Sequence, residues 1–254
     1  MKETIIAKLL EIEKKEKVKI IYAIESGSRA WGFKSPDSDY DVRFIYLRSP
    51  EFYLRLDKTR DVIEWQLDEV LDINGWDLQK ALSLLHTSNL TFFEWSNSSI
   101  IYKTTVIWSG IKQNINDYFQ VKHGSYHYLN SAKQNYDKYA TEKTILLKKY
   151  FYILRPLLAC KWILDKKSPP PMLFSELIES ELEEEMLVII KRLLAEKIVT
   201  SEQGKRERIV KLDEYIEQSL IELEAETNDL PKDDKPDWQG LNKLFIQSLK
   251  EACQ

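Results

Sequence analysis

Two short motifs twelve residues apart constrain this chain more than anything else in it. An apolar, β-branched run from Val18 to Ile24 leads into Glu25-Ser26-Gly27-Ser28-Arg29-Ala30-Trp31-Gly32, and Asp39-Tyr40-Asp41-Val42-Arg43-Phe44-Ile45-Tyr46 follows. The first run reads as a buried strand that ends in a turn, the second as another strand. A Gly-Ser turn lets backbone N–H groups and a hydroxyl approach phosphate oxygens closely. Asp39 and Asp41, separated by one residue on a strand, point to the same face. Tyr40, Val42, Phe44 and Ile45 make that strand half-buried, where two like charges need a counter-ion. Mg²⁺, which prefers carboxylate and phosphate oxygens, suits such a pair.

The rest of the chain divides by periodicity. Residues 3–16 have helical spacing of Ile5, Ile6, Leu9, Leu10 and Ile12 with charges between them. Ala30 to Ser38 reads as a loop or short helix. Asp61 to Trp65 and Asp68 to Ile73 read as two strands that can pair as a hairpin, followed by a turn at Asn74-Gly75. Helices follow at Trp76–Leu85 and Leu90–Trp95. From about residue 108 the pattern is helical only, with candidates at 108–119, 123–138, 142–165, 174–197 (one helix or two), 206–226 and 237–252. The fold expected is α+β: a small mixed sheet over 1–108, then an all-α domain over 109–254.

Composition excludes several classes. The 254 residues are 43% hydrophobic and 31% charged, as in an ordinary folded domain. No apolar run reaches membrane-spanning length, and the N-terminus carries scattered charges, so a cytoplasmic protein without a membrane partner is expected. Cys160 and Cys253 give neither a zinc spacing nor a disulfide framework, and Cys160 reads as a buried apolar residue. His86, His123 and His127 are too few and badly spaced for a metal site. Residues 1–150 hold 22 Lys+Arg and 20 Asp+Glu, and residues 151–254 hold 15 and 21. No extended basic platform exists, so any nucleic-acid contact would be local, as to an end.

The strand, Gly-Ser turn and Asp-x-Asp strand resemble the nucleotidyltransferase superfamily of the DNA polymerase β type. Ser26 to Gly32, Ser35 to Arg43 and Gly75-Trp76-Asp77-Leu78 narrow this. So do Lys148-Lys149-Tyr150, Leu154-Arg155-Pro156-Leu157-Leu158-Ala159 and Pro170-Pro171-Met172. These stretches are similar to the RNA repair pathway DNA polymerase β family, the YcgL-like nucleotidyltransferases. The match runs to about residue 175, and the last 80 residues hold no motif of their own.

The resemblance implies a metal-dependent enzyme that moves a nucleoside monophosphate from an NTP to a hydroxyl, with an RNA end as the favoured acceptor. A protein side chain or a small molecule such as an aminoglycoside is the alternative acceptor, and a non-catalytic nucleotide-binding module the alternative class. It implies two Mg²⁺ or Mn²⁺ ions on Asp39 and Asp41, with Gly27, Ser28 and Arg29 on the triphosphate. A third carboxylate on a neighbouring strand is implied as well. Asp72 is the choice, Asp68 its rival and Glu64 a weaker one. Asp77, at a helix start, is read as complementing the helix dipole. Lys148, Tyr152 and Arg155 form one stripe at i, i+4 and i+7, either binding phosphates of NTP or RNA or forming a partly exposed helix edge. Arg43 shares a face with Asp39 and Asp41, and either binds phosphate or neutralises the carboxylates. Trp31, Trp65, Trp76 and Trp95 read as core of the first domain.

Overall fold

The computed structural model describes residues 1–66, 70–139 and 142–252. By contact they group into two compact units. The first holds residues 1–30, 39–118 and 235–254, and the second 31–38 and 119–234. A single break at residue 108 does not describe this division. The short segment between the two motifs belongs with the helices, and the end of the chain returns to the first unit.

The first unit is built on a five-stranded mixed sheet. After helix α1 (Lys2–Glu16) come strand β1 (Lys19–Glu25), a short helical turn α2 (Gly27–Ala30) and strand β2 (Tyr40–Leu47). Helix α3 (Pro50–Tyr53), strands β3 (Val62–Gln66) and β4 (Leu71–Asp77), and helices α4 (Leu78–His86) and α5 (Leu90–Ser96) follow. Strand β5 (Ile101–Thr104) and helix α6 (Val106–Lys112) complete it, with a 3₁₀ turn at Ile115–Tyr118. The strand order is β3-β4-β2-β1-β5. β2 and β4 run parallel, and the other neighbours are antiparallel. β1 is buried on both faces, which is why its sequence reads as a continuous apolar run and not as an alternation. Ile5, Leu9 and Ile12 of α1 cluster with Ile20, Val42, Phe44, Ile63 and Ile73 of the sheet. Tyr22 stacks on Trp108 at 4.1 Å, and Trp76 on Trp95 at 3.7 Å.

Asn74 and Gly75 are strand residues within β4, not a turn. The ring of Phe44 on β2 lies so close that a Cβ at Gly75 would sit 2.2 Å from it. Glycine is there to admit an aromatic ring from the parallel neighbour. The chain leaves β4 directly into α4, which Asp77 caps by accepting a hydrogen bond from the Gln79 amide at 2.8 Å.

The second unit holds helix α7 (Val121–Tyr139), strand β6 (Thr144–Leu146), helix α8 (Leu147–Lys166), helices α9 (Phe174–Glu181) and α10 (Glu184–Val199), strand β7 (Lys205–Glu207) and helix α11 (Val210–Asp229). The break at 182–183 makes two helices of the 174–197 stretch. β6 and β7 form a small antiparallel ribbon that the helical periodicity did not announce. α8 is its core: Tyr150, Phe151, Ile153, Leu154, Leu157, Leu158 and Cys160 are all buried. Burial also pushes the Cys160 thiol up to about 12, so it behaves as an apolar group. Trp31 and Phe33 pack here and not in the first unit. Phe33 is fully buried against Phe151 and Phe174, and the Trp31 carbonyl accepts from the Phe174 amide at 2.9 Å.

Helix α12 (Gln239–Ala252) closes the first unit against α4 and α6. Phe245 meets Tyr53 edge-on at 5.1 Å. Just before α12, Trp238 stacks on His86 at 3.7 Å, and a His86 Nε2 hydrogen bond to the Pro236 carbonyl fixes the approach.

Candidate active site

The two sequence motifs meet at the end of β1 and the beginning of β2. β1 and β2 pair up to Glu25 opposite Val42, and the Ser26 amide then donates to the Asp41 carbonyl at 2.8 Å. The chain turns at Gly27 with φ +60°. A Cβ there would lie 2.2 Å from Asp41 Oδ2, so the carboxylate rests against the bare Cα. Glycine is required twice over, by the backbone angle and by the carboxylate. Arg29, one turn on, lays its guanidinium 3.6 Å from the centre of the Tyr40 ring and donates from Nε to the Asp39 carbonyl at 2.9 Å. Gly27, Ser28, Arg29, Asp39 and Asp41 are thereby one locality, as the sequence motifs require.

Asp72 joins them through the sheet. In the parallel β2–β4 ladder Asp41 is the register partner of Asp72. Arg43 reaches both from one nitrogen, donating to Asp41 Oδ1 at 3.0 Å and to Asp72 Oδ2 at 2.8 Å. Of the two readings left open for Arg43, the carboxylate neutraliser is the one its contacts match. Burial raises the Asp41 carboxyl above the ordinary range; Arg43 opposes this, and the negative charges of Asp72 and Asp39 add to it. Asp68 lies outside the described residues. Glu64 is exposed and tied to Arg60 at 2.6 Å.

Glu25 is a site residue that sequence reasoning passed over. It is fully buried. Its Oε1 accepts the Asp41 amide at 2.8 Å, and its Oε2 accepts the Tyr102 hydroxyl. Burial raises its carboxyl, and the Tyr102 and Asp41 hydrogen bonds oppose the rise. An acidic residue closing an apolar strand directly before Ser-Gly-Ser was the available signal. Tyr102 had none, because β5 was not legible as a strand.

Asp41 and Asp72, bridged by Arg43, with the charge of Asp39 acting on Asp41, offer hard oxygen donors of the kind a divalent cation takes. Among the described residues no three acidic, histidine or cysteine side chains converge as a ready-made metal cage. Arg43 spans Asp41 and Asp72 instead.

Lys148 and Arg155 belong to the other unit. Lys148 pairs with Glu202 at 3.3 Å. Arg155 is buried at 4% exposure with its guanidinium 4.5 Å from the Trp31 ring centre, so it does not lie on an exposed helix edge.

A mixed sheet that sets a Gly-Ser turn beside Asp39, just before β2 and not within it, and Asp41 in β2, with Asp72 on the parallel neighbour, is the arrangement of a polymerase β-like nucleotidyltransferase. The model of the RNA repair pathway DNA polymerase beta family matches residues 1–247, and the chain belongs to that family. It is 39% identical over 254 residues to the uncharacterized protein YcgL of Bacillus subtilis (strain 168), covering 99% of this chain and 98% of that one. Among solved structures it is similar to a nucleotidyltransferase-like protein from Exiguobacterium sibiricum 255-15. That likeness has 13% identity and a TM-score of 0.33, covering 97% of this chain and 80% of that one. Among the described residues no helix is long and apolar enough to cross a membrane.

Proposed function

We propose that this chain transfers a nucleoside monophosphate from an NTP to a hydroxyl, with an RNA end as acceptor. The observation that carries the reading is the pairing of Asp41 with Asp72 across parallel strands, beside the turn that begins at Gly27. Asp39, Asp41 and Asp72 would hold Mg²⁺ or Mn²⁺. A bound divalent cation neutralises the triphosphate and favours ionisation of the acceptor hydroxyl.

The protein's own part is positioning and charge. The Ser28 hydroxyl and the amides of the turn would take the triphosphate oxygens, and Arg29 brings a positive charge to the same turn. Glu25 and Tyr102 hold the Asp41 backbone, and so the carboxylate that follows it. Arg43 balances Asp41 and Asp72, and would give them up to a divalent cation bound there. The acceptor oxygen bonds to the α-phosphorus as the bond to pyrophosphate breaks. Lys148 and Arg155 have packing and ion-pair roles in the helical unit and are not assigned to the nucleotide.

The test is incubation with NTPs radiolabelled at the α-phosphate, Mg²⁺ or Mn²⁺, and RNA, lysate protein or aminoglycosides in parallel. Label is expected on RNA ends, and is expected to vanish with EDTA and in the Asp39→Asn/Asp41→Asn double variant. Label on protein or aminoglycoside alone would move the acceptor. No label on any acceptor would overturn the transfer reading.

A further inference from the structure

Residues 31–38 run from the Gly-Ser turn to the aspartate strand, and the second unit holds them with polar groups that are largely buried. Ser35 and Ser38 are 2% and 5% exposed. The Ser38 amide donates to the Ser35 carbonyl at 3.2 Å, and the Ser35 amide donates to Ser38 Oγ at 2.8 Å, which closes a tight turn around Pro36 and Asp37. The turn is tied to α10 and the loop after it. Ser38 Oγ donates to Glu202 Oε1 at 2.8 Å. Lys197 Nζ donates to the same oxygen at 2.9 Å and also to Ser35 Oγ. Ser35 Oγ donates in turn to the Lys197 carbonyl at 3.3 Å. The Asp37 carboxylate accepts the Glu202 amide at 3.0 Å, and Lys148 takes the other Glu202 oxygen at 3.3 Å.

Lys197 is the anomaly that gives this cluster meaning. It is 1% exposed and continues the buried face Met186, Ile190, Leu193 of α10 at helical spacing. An apolar residue would serve packing there without the cost of burying an ammonium group. What the ammonium adds is direction: it bonds one side chain of the turn and the carboxylate that bonds the other. Ser38 is followed directly by Asp39 and then by β2 at Tyr40, so the clamp holds the chain two residues before the strand that carries Asp41.

We propose that Lys197 and Glu202 are positioning residues for nucleotide transfer. By holding the Ser35–Ser38 turn, they set the course of the chain through Asp39 into β2, which carries Asp41. This gives the otherwise motif-free part of the chain after residue 175 a part in the reaction, and it rests on the transfer reading above. The side chains touch neither nucleotide nor metal; they act through the turn.

The test compares wild type with Lys197→Met and Glu202→Gln. Three quantities are read: the melting temperature, hydrogen exchange of the peptide covering residues 31–41, and kcat and KM for label transfer. Lys197→Met keeps the length and apolar stem, so the fold is expected to survive. Faster exchange confined to residues 31–41 and a kcat about tenfold lower with KM within about twofold are expected. A double variant is expected to be no worse than the poorer single one, since the two side chains act as a unit. Faster exchange with unchanged kcat would overturn the positioning role. A kcat loss that only follows a drop in melting temperature would overturn it as well, showing a structural role alone. Wild type that transfers no nucleotide would sink the transfer reading and this role with it, whereas active wild type with unaffected variants sinks this role only.

Discussion

Arg43 donates from a single nitrogen to Asp41 on its own strand and to Asp72 on the parallel neighbour, at 3.0 and 2.8 Å. One guanidinium therefore balances two of the three carboxylates expected to bind metal. All three groups retain some exposure, so the pairing contributes about 1 kcal/mol or less.

Arg43→Met should expose the repulsion that this contact hides. The variant is expected to melt lower than wild type in EDTA, and to recover more than wild type does when Mg²⁺ is added. Thermal unfolding with and without Mg²⁺ measures both. A Mg²⁺-induced rise no larger than that of wild type would show that Arg43 is not keeping a cation's place.

Gly27→Ala should damage the site more than the fold. The left-handed backbone at φ +60° costs a non-glycine residue about 1–2 kcal/mol. The added methyl must also displace the Asp41 carboxylate, whose oxygen would be 2.2 Å away. Transfer is expected to fall by far more than the tenfold or so that this stability loss would correspond to as an equilibrium, while circular dichroism stays native-like. Transfer at near the wild-type rate would remove Gly27 from the site.

Tyr102→Phe deletes the hydroxyl that bonds the fully buried Glu25 carboxylate. A lost hydrogen bond to a buried acidic group costs about 2 kcal/mol. Urea unfolding should show that loss as a lower midpoint at unchanged slope. A midpoint equal to that of wild type would mean that Glu25 does not depend on Tyr102.

Glu202 sets a pH dependence whose sign is fixed. Burial alone would raise its carboxyl, but hydrogen bonds from Lys197, Ser38 and Lys148 outweigh this and lower it from 4.5 to about 2. A carboxyl depressed in the folded state adds stability that is complete above its unfolded value and is lost as pH falls through the folded one. The contribution should be full at neutral pH, decline below about 4.5 and be gone near 2. Denaturation midpoints of wild type and Glu202→Gln should therefore converge across that window. A constant gap would remove Glu202 as the source.

Much of the first unit was legible because its strands are long and chemically distinct. β1 is a continuous apolar run, and Asp39 to Tyr46 announced β2, which begins one residue later at Tyr40. β5, β6 and β7 were not legible, because three or four residues are too few to establish a period. Asn74-Gly75 has turn chemistry, and only the Phe44 ring across the ladder shows why a glycine sits in a strand there. The pair Asp39 and Asp41 could be read locally, and Asp72 by its place on a neighbouring strand. Glu25 with Tyr102, and Lys197 with Ser35, could not, since each joins residues 77 and 162 positions apart. The helical pattern of 237–252 announced a helix, but not that it would pack against α4 and α6.

That return of α12 has a consequence for synthesis. Four of the five strands and the three aspartates precede residue 78, yet the helix that packs against α4 and α6 is made only after the whole second unit. Until α12 is made, α4 and α6 lack the helix that packs against them. The first unit is thus interrupted in sequence by the second, and a nascent chain stalled near residue 234 would carry its aspartates on an incompletely covered fold, a natural target for chaperones.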